Sequence, residues 1–520
     1  MVMNKPMSPE AGLKQLKADI ENFCRLYVPS GEIEVKDKGK IIHDTIWRTN
    51  YFEPYEIEII HSPLFQRLRY INQMGFVDFV YPSARHSRFE HSLGVTILAG
   101  RMIDAVMQNS VRRQNKASEL LGEDVRKSIR MSALLHDVGH CLYSHTSELV
   151  YGAELKKLIK CQFPDGNKPS PHEFLSYLIV TSDVFRDYFE KIKSKYCLHN
   201  IDIDIDDIAL RIVGHTKGDE LKEYATNFIA GPLDADKLDY FYRDSQFSGI
   251  PIQLDLDRLL HELDISSIGE ANILTVSEVG VICIEQMIFN KMILYSSIYT
   301  HHKVEAIDCM FRGVFEYIEE NNIPLNIGGK QKKPETAADF LYLVDYHLFA
   351  LADETEDEKL KELINNIRNR KLLKRAFLIT RKSIETENAD KVSWAGIIKL
   401  LYQDKDEAKR NQYLRDLARE IHKESKADCS PYEIWVDIPK SPISDEIQTI
   451  MVRPRKNTGT QCEGIEKYYP LAQYKDLYET NRLNGYVFAP ERCREQVAQA
   501  AKTVLEKRLS VKFNDFAVVR

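Results

Sequence analysis

At 520 residues the chain is long enough for two to four domains with substantial apolar cores, so neither disulfides nor a structural metal is needed to hold it together. Its 71 Lys and Arg against 78 Asp and Glu leave a formal charge of −7, the wrong sign for a general coat on nucleic acid, so any polyanion site must be local. Nine cysteines without a CxxC pair, an opening MVMNKPMSPE without an apolar core, and no run near the roughly 20 apolar residues that span a bilayer point to a reducing cytoplasm and away from membranes.

Residues 1–40 form a lead-in, a short helix followed by the strand or loop GEIEVKDKGK. From 41 to 320 helical periodicity dominates. Val95, Leu98, Ala99, Met102 and Val106 recur at i, i+3, i+4, i+7 and i+11, and His91 falls on the same stripe. Val125, Ile129 and Ala133 line one face of the next helix, with His136 at i+11. Pro232, near the first turn, and Asp234 open a third helix through LDADKLDYFYRD. Residues 321–430 read as a charged helical region in which EDEKLKELINNIRNRKLLKRAF passes from acidic to basic. From 431 to 520, the short apolar runs of YEIWVDIP, QTIMV and NGYVFAP precede a helix at ERCREQVAQAAKTVLEKR, the pattern of a small α+β subdomain.

A histidine on an apolar helix face is ordinarily a packed core residue. His136 and Asp137 change that expectation, because a carboxylate buried at the end of an apolar helix is costly unless a cation or donor neutralises it. His140 and His145 follow within nine residues of His136. Imidazole with carboxylate suits Mn, Fe, Zn or Mg with open coordination positions.

RFEHSLG at 88–94, LHDVGH at 135–140 and DADKLDY at 234–240 together resemble the HD superfamily, and the wider segment from PLFQRLRYINQMG to DKLDYFYRD resembles its dNTP triphosphohydrolases over residues 40–320. The implied fold is mainly α, an HD-domain helical core with a small C-terminal α+β subdomain. The implied divalent-metal ligands are His91, His136, Asp137 and Asp236, with Asp234 and Asp239 as rivals of Asp236 that spacing does not separate. By the same resemblance His145, with His140 beside it, protonates the leaving group, and the pair His172-Glu173 is a second acid/base element, Glu173 orienting or charging His172. Arg88 and Lys237 correspond to phosphate contacts, Gln73, Asp244, Tyr240 and Tyr299 to sugar contacts, and Met74 with Tyr299 to the deoxyribose-sensing wall. The expected substrate is a deoxynucleoside triphosphate, with a phosphodiesterase or nuclease acting on single strands or signalling nucleotides, or a nucleotide-sensing protein, as alternatives.

The resemblance also implies a homo-oligomer, dimer or tetramer, with nucleotide activators between subunits. Gln66, Arg69 and the run Arg370-Lys371-Leu372-Leu373-Lys374 match activator-binding positions. His61 and His43 depart from the Asp and Asn of the family's guanine-reading pocket. A neutral imidazole offers one acceptor where a carboxylate takes both donors of guanine, so the resemblance does not extend to guanine-specific activation.

Overall fold

Side-chain caps set the helix starts in the computed structural model, which describes residues 8–33, 38–164, 168–196, 198, 203–216, 222–385, 407–438, 445–455 and 462–519. Ser8 accepts from the backbone of Ala11 at the start of α1 (Pro9–Tyr27), whose Leu13, Leu16, Ile20 and Phe23 are buried. A Ser87/Glu90 capping box opens α2 (Arg88–Arg113), and α3 (Glu123–Leu135) runs into His136. Next come α4 (His145–Gln162) and α5 (Pro171–Val180), the latter opened by a Ser170/Glu173 capping box. Asp234 caps α6 (Ala235–Ser248) by accepting from Lys237 N, and Gly249, at φ 75°, ends it. Pro232 therefore sits in the preceding turn and not in the helix, contrary to the sequence-based expectation, because Asp234 takes the cap. Among the described residues the remaining helices of 14 residues or more are α7 (Val281–Leu294), α8 (His302–Glu320), α9 (Glu407–Ser425) and α10 (Arg494–Leu509).

The strands are short. The antiparallel hairpin β1 (Lys40–Asp44) and β2 (Arg48–Phe52) carries the chain into the helical domain. A second hairpin, β3 (Leu263–Ile268) and β4 (Ala271–Ser277), is followed by β5 (Leu325–Ile327), β6 (Lys330–Lys332), β7 (Lys374–Ile379) and β8 (Trp435–Asp437). The last three are β9 (Met451–Arg453), β10 (Glu463–Gly464) and β11 (Gly485–Ala489). One sheet has the order β10-β9-β4-β3, with β9 parallel to β4, and another the antiparallel order β7-β11-β8.

Residues 321–430 are accordingly not wholly helical. Arg370, at φ 56°, follows the charged helix Glu358–Arg368, and β7 then pairs with β11, where burial of Phe377 and Ile379 outweighs the helical charge pattern. The C-terminal α+β unit thus draws β7 and α9 from before residue 431, and it gives β9 to the sheet of the helical domain.

Three apolar cores follow. α2 is buried on two faces, with Phe89, Leu93 and Ile97 in one core and Val95, Leu98, Ala99 and Met102 in a second. α3 is divided the same way by Met131 and Leu134 against Ile129 and Ala133, and α6 packs Ala235, Leu238 and Phe241 into the second core. Among the described residues one helical stretch, Glu278–Tyr299, is long and apolar enough to cross a membrane by length and composition alone, a test that a packed core helix also passes. Half of its most apolar 18-residue window is buried within the fold, with Val281, Cys283, Ile284 and Met287 in the second core.

Candidate metal centre and cavity

Two glycines bring the helices of the candidate site together. A Cβ on Gly94, one turn after His91, would lie 2.0 Å from Asp239 Oδ1, so only glycine lets α6 approach α2 this closely. A Cβ on Gly139 would lie 2.3 Å from His172 O, and Gly139 N instead donates to Ser176 Oγ at 2.8 Å, docking α5 on the turn after His136. That turn ends in Tyr143 and Ser144, both at positive φ (51° and 54°), a sparsely populated conformation for L-residues. It is held by Asp345, which accepts from Tyr143 N at 2.6 Å, and by Ser144 Oγ, which donates to Asn72 O and accepts from Arg88 Nε at 3.0 Å.

At the junction of α2, α3 and α6, His91 donates Nδ1–H to Asp239 Oδ2 (2.8 Å) and His136 donates Nδ1–H to Ala133 O (2.8 Å). Carboxylates and carbonyls only accept, so in the neutral ring, the form that binds a metal, each Nε2 carries the lone pair. Both are buried without a hydrogen-bond partner. Asp236 Oδ1 lies 2.9 Å from His91 Nε2 and 3.7 Å from His136 Nε2, and Asp137 Oδ1 lies 3.2 Å from His136 Nε2. His91 Nε2 and Asp236 Oδ1 are close without hydrogen-bond geometry, the relation of two ligand atoms aimed at a common third point. Burial disfavours a charged His91 ring, but Asp236, Asp239 and Asp137 outweigh it and lift the ring to about 10. Burial likewise opposes ionisation of Asp137 and Asp236, yet the neighbouring imidazoles hold both well below the usual carboxylate range, joined at Asp137 by Arg88. A field that favours a proton so strongly also favours a divalent cation. His91, His136 and Asp236 each bring one ligand atom within 4.8 Å of the others, and with Asp137 Oδ1 beside His136 Nε2 this set fits such an ion.

The rival aspartates have other work. Asp234 caps α6 and pairs with Lys237 Nζ (2.7 Å), while Asp239 accepts from His91, Arg243 and Trp47. Asp236 is the one of the three whose carboxylate faces both Nε2 atoms.

Asp137 and Asp236 of this quartet line a cavity of about 540 Å³. Arg88 reaches it with Nη1 on Asp137 Oδ2 (2.9 Å). Gln73, Met74, Tyr240 and Tyr299 also line it. Asp244, on the same wall, accepts from Tyr299 Oη and, at 2.8 Å, from His86 Nε2, a buried histidine that the sequence reading passed over. Lys237 is not brought in: its ammonium turns to Asp234 and Gly231 O (2.9 Å).

Three further histidines stand beside the quartet. His140, fully buried, stacks on His172 with centroids 3.9 Å apart and has neither ring nitrogen hydrogen-bonded. His145 and His172 line the cavity. The expected partnership of His172 with Glu173 is not formed, because the Glu173 carboxylate accepts from Ser170 N in the cap of α5. Glu148 faces His172 Nδ1 instead at 2.7 Å and His145 Nδ1 at 3.3 Å. Burial opposes a charged His172, and Glu148 overcomes it and raises the ring above its ordinary value, while His145 and His172 hold Glu148 well below the carboxylate range. The spacing of His145 and Glu148, i and i+3 on one helix, was a legible signal for this pair.

The residues matched to an activator site lie elsewhere. Gln66 accepts from Arg69 Nε (2.8 Å), His61 Nε2 lies 3.1 Å from Lys40 Nζ, and His43 Nδ1 lies 3.0 Å from Thr49 Oγ1. Arg370 donates to Phe79 O (3.0 Å), and the run to Lys374 borders a separate cavity of about 310 Å³.

Residues 88–243 match the HD domain and residues 254–513 the HD associated region. An uncharacterized protein of Methanocaldococcus jannaschii is 32% identical over 290 residues, 55% of this chain and 51% of the relative. The deoxynucleoside triphosphate triphosphohydrolase SAMHD1 homolog of Dictyostelium discoideum is 28% identical over 365 residues (69% and 63%), and human deoxynucleoside triphosphate triphosphohydrolase SAMHD1 is 26% identical over 383 (69% and 57%). The chain thus spans 51–63% of the length of these curated relatives.

Proposed function

We propose, from the premise that this chain belongs to the HD-domain family, that it is a metal-dependent phosphohydrolase converting deoxynucleoside triphosphates to deoxynucleoside and inorganic triphosphate. The observation that carries the reading is the pair of buried, unpartnered Nε2 lone pairs of His91 and His136, which converge with Asp137 and Asp236 at a nucleotide-sized cavity. The printed activity of the SAMHD1 relatives supports the choice of substrate.

His91, His136, Asp137 and Asp236 would hold the ion, which when bound supplies Lewis acidity to a phosphoryl oxygen and acidifies water. Arg88, fixed between Asp137, Ser144 and Gln73 O, presents a positive charge where phosphoryl oxygens gather. Water forms a bond to the α-phosphorus and releases a proton to solvent as the bond to the sugar 5′-oxygen breaks. The departing alkoxide needs a proton. His172 is the group arranged to give one, its Nδ1 on Glu148 and its Nε2 4.0 Å from Asp137 Oδ1, with His145 sharing the same glutamate. Tyr299, its hydroxyl committed to Asp244, and Met74 would meet C2′ of the sugar, where a 2′-hydroxyl would lose its water without gaining a partner.

The test incubates purified protein and Mn²⁺ with each dNTP, each NTP and a short single-stranded oligonucleotide and resolves the products by chromatography. Deoxynucleoside and triphosphate are expected from dNTPs, and Asp137→Ala abolishes both turnover and bound metal while the helical circular dichroism persists. Full activity in metal-free Asp137→Ala would falsify the reading. Cleavage of the oligonucleotide but not of dNTPs would replace it with a phosphodiesterase.

A further inference from the structure

Beyond the metal quartet the cavity runs along one face of α4, where His145, Leu149, Gly152 and Ala153 stand at i, i+4, i+7 and i+8. Gly152 lets Pro171 of α5 pack against that face, where an added Cβ would lie 3.2 Å from Pro171 Cγ, and Pro171 also lines the cavity. Across from it α8 presents Val304 and, one turn later, Asp308. Asp308 Oδ1 accepts from Thr146 Oγ1 (2.8 Å), and Thr146 Oγ1 in turn abuts Gly75, where an added Cβ would lie 2.9 Å away. Gly75 follows Met74, so Asp308 lies one side chain beyond the wall assigned to the deoxyribose.

We infer that Asp308 reads the Watson–Crick edge of the substrate's base and makes the cavity selective for guanine deoxynucleotides. The inference rests on the dNTP reading above. An ionised carboxylate only accepts, and an oxygen already bonded to Thr146 keeps a second lone pair. Guanine presents two adjacent donors, N1–H and N2–H. Adenine and cytosine present an acceptor beside a donor, and thymine one donor between two carbonyls. A bidentate match is therefore open to guanine alone, and an acceptor facing this half-buried carboxylate is penalised. Burial lifts Asp308 to about 7, with Thr146 and Arg312 pulling it down and Asp437 pushing it up, so the carboxylate predominates well above neutrality.

The experiment compares kcat/KM for dGTP, dATP, dCTP and dTTP at about pH 8.5 with Mn²⁺, for the full chain and for Asp308→Asn. The variant keeps the side-chain volume and an acceptor for Thr146 but exchanges one acceptor for a donor. Wild type should favour dGTP by roughly tenfold or more, and Asp308→Asn should lower the dGTP to dATP ratio by a similar factor while still turning over dATP. Equal kcat/KM for the four dNTPs in wild type overturns the inference whether or not the variant folds, and so does an unchanged ratio in folded Asp308→Asn. Either result leaves the dNTP reading standing. Failure to hydrolyse any dNTP overturns both.

Discussion

His91 owes its orientation to Asp239, whose carboxylate also binds buried Arg243 and the indole of Trp47. Burial opposes its charge, but Arg243 and His91 bring Asp239 down to about 2. A second-layer carboxylate of this kind fixes the tautomer of a ligand histidine, and its loss typically weakens metal affinity by roughly 10–100-fold. Asp239→Asn should therefore bind Mn²⁺ at least about tenfold more weakly by calorimetric titration, with His91 itself unchanged. Wild-type affinity in the folded variant would mean that Asp239 serves only to neutralise Arg243. Glu148 makes the same point for the acid/base group: which carboxylate faces His172 depends on the approach of α4 and α5, since both Glu148 and Glu173 were available in sequence.

Helix α8 links the cavity to the C-terminal sheet and carries an acid without a partner. Glu305 is 6% exposed and its Oε2 has no hydrogen bond; burial first, then Asp437 and Asp308, raise it well above 4.5. An acid raised in the folded state contributes stability that is fully present below its unfolded value of 4.5 and is lost as pH rises toward the folded value. Glu305→Gln, which cannot ionise, should therefore raise Tm relative to wild type more at about pH 8 than at about pH 5, as read by scanning calorimetry. An equal or reversed difference would show that Glu305 ionises freely in the fold. Asp308, on the same helix, differs in having Thr146 as a donor and the cavity beside it.

In the whole molecule the C-terminal sheet is shared between cores. Trp435, Tyr486 and Phe488 point into the core of the helical domain, and Val436, Val487 and Ala489, alternating with them, point into the core built with α9 and α10. Trp435 is held between Arg312 (4.5 Å) and Arg415 (4.1 Å) and donates to Tyr432 O at 2.8 Å. Truncating it to Ala should cost about 3–5 kcal/mol and lower the urea midpoint without splitting the transition, because neither face of the sheet can be exposed alone. Two separate transitions in wild type would show that the C-terminal unit folds independently. The helical class and the inward phase of His91 and His136 are legible in the amino-acid pattern, because helical periodicity is local and an imidazole on a buried stripe has one direction to point. The adjacency of His136 and Asp137 also stated a chemical need, a buried charge requiring a cation. It took the packing of distant segments to select Asp236 over Asp234 and Asp239 as the carboxylate facing those imidazoles, to turn Lys237 to Asp234, and to bring β7 into a sheet beyond residue 431. Those choices depend on how closely segments tens to hundreds of residues apart approach one another, at Gly94 and Gly139 above all, and no local pattern encodes that distance.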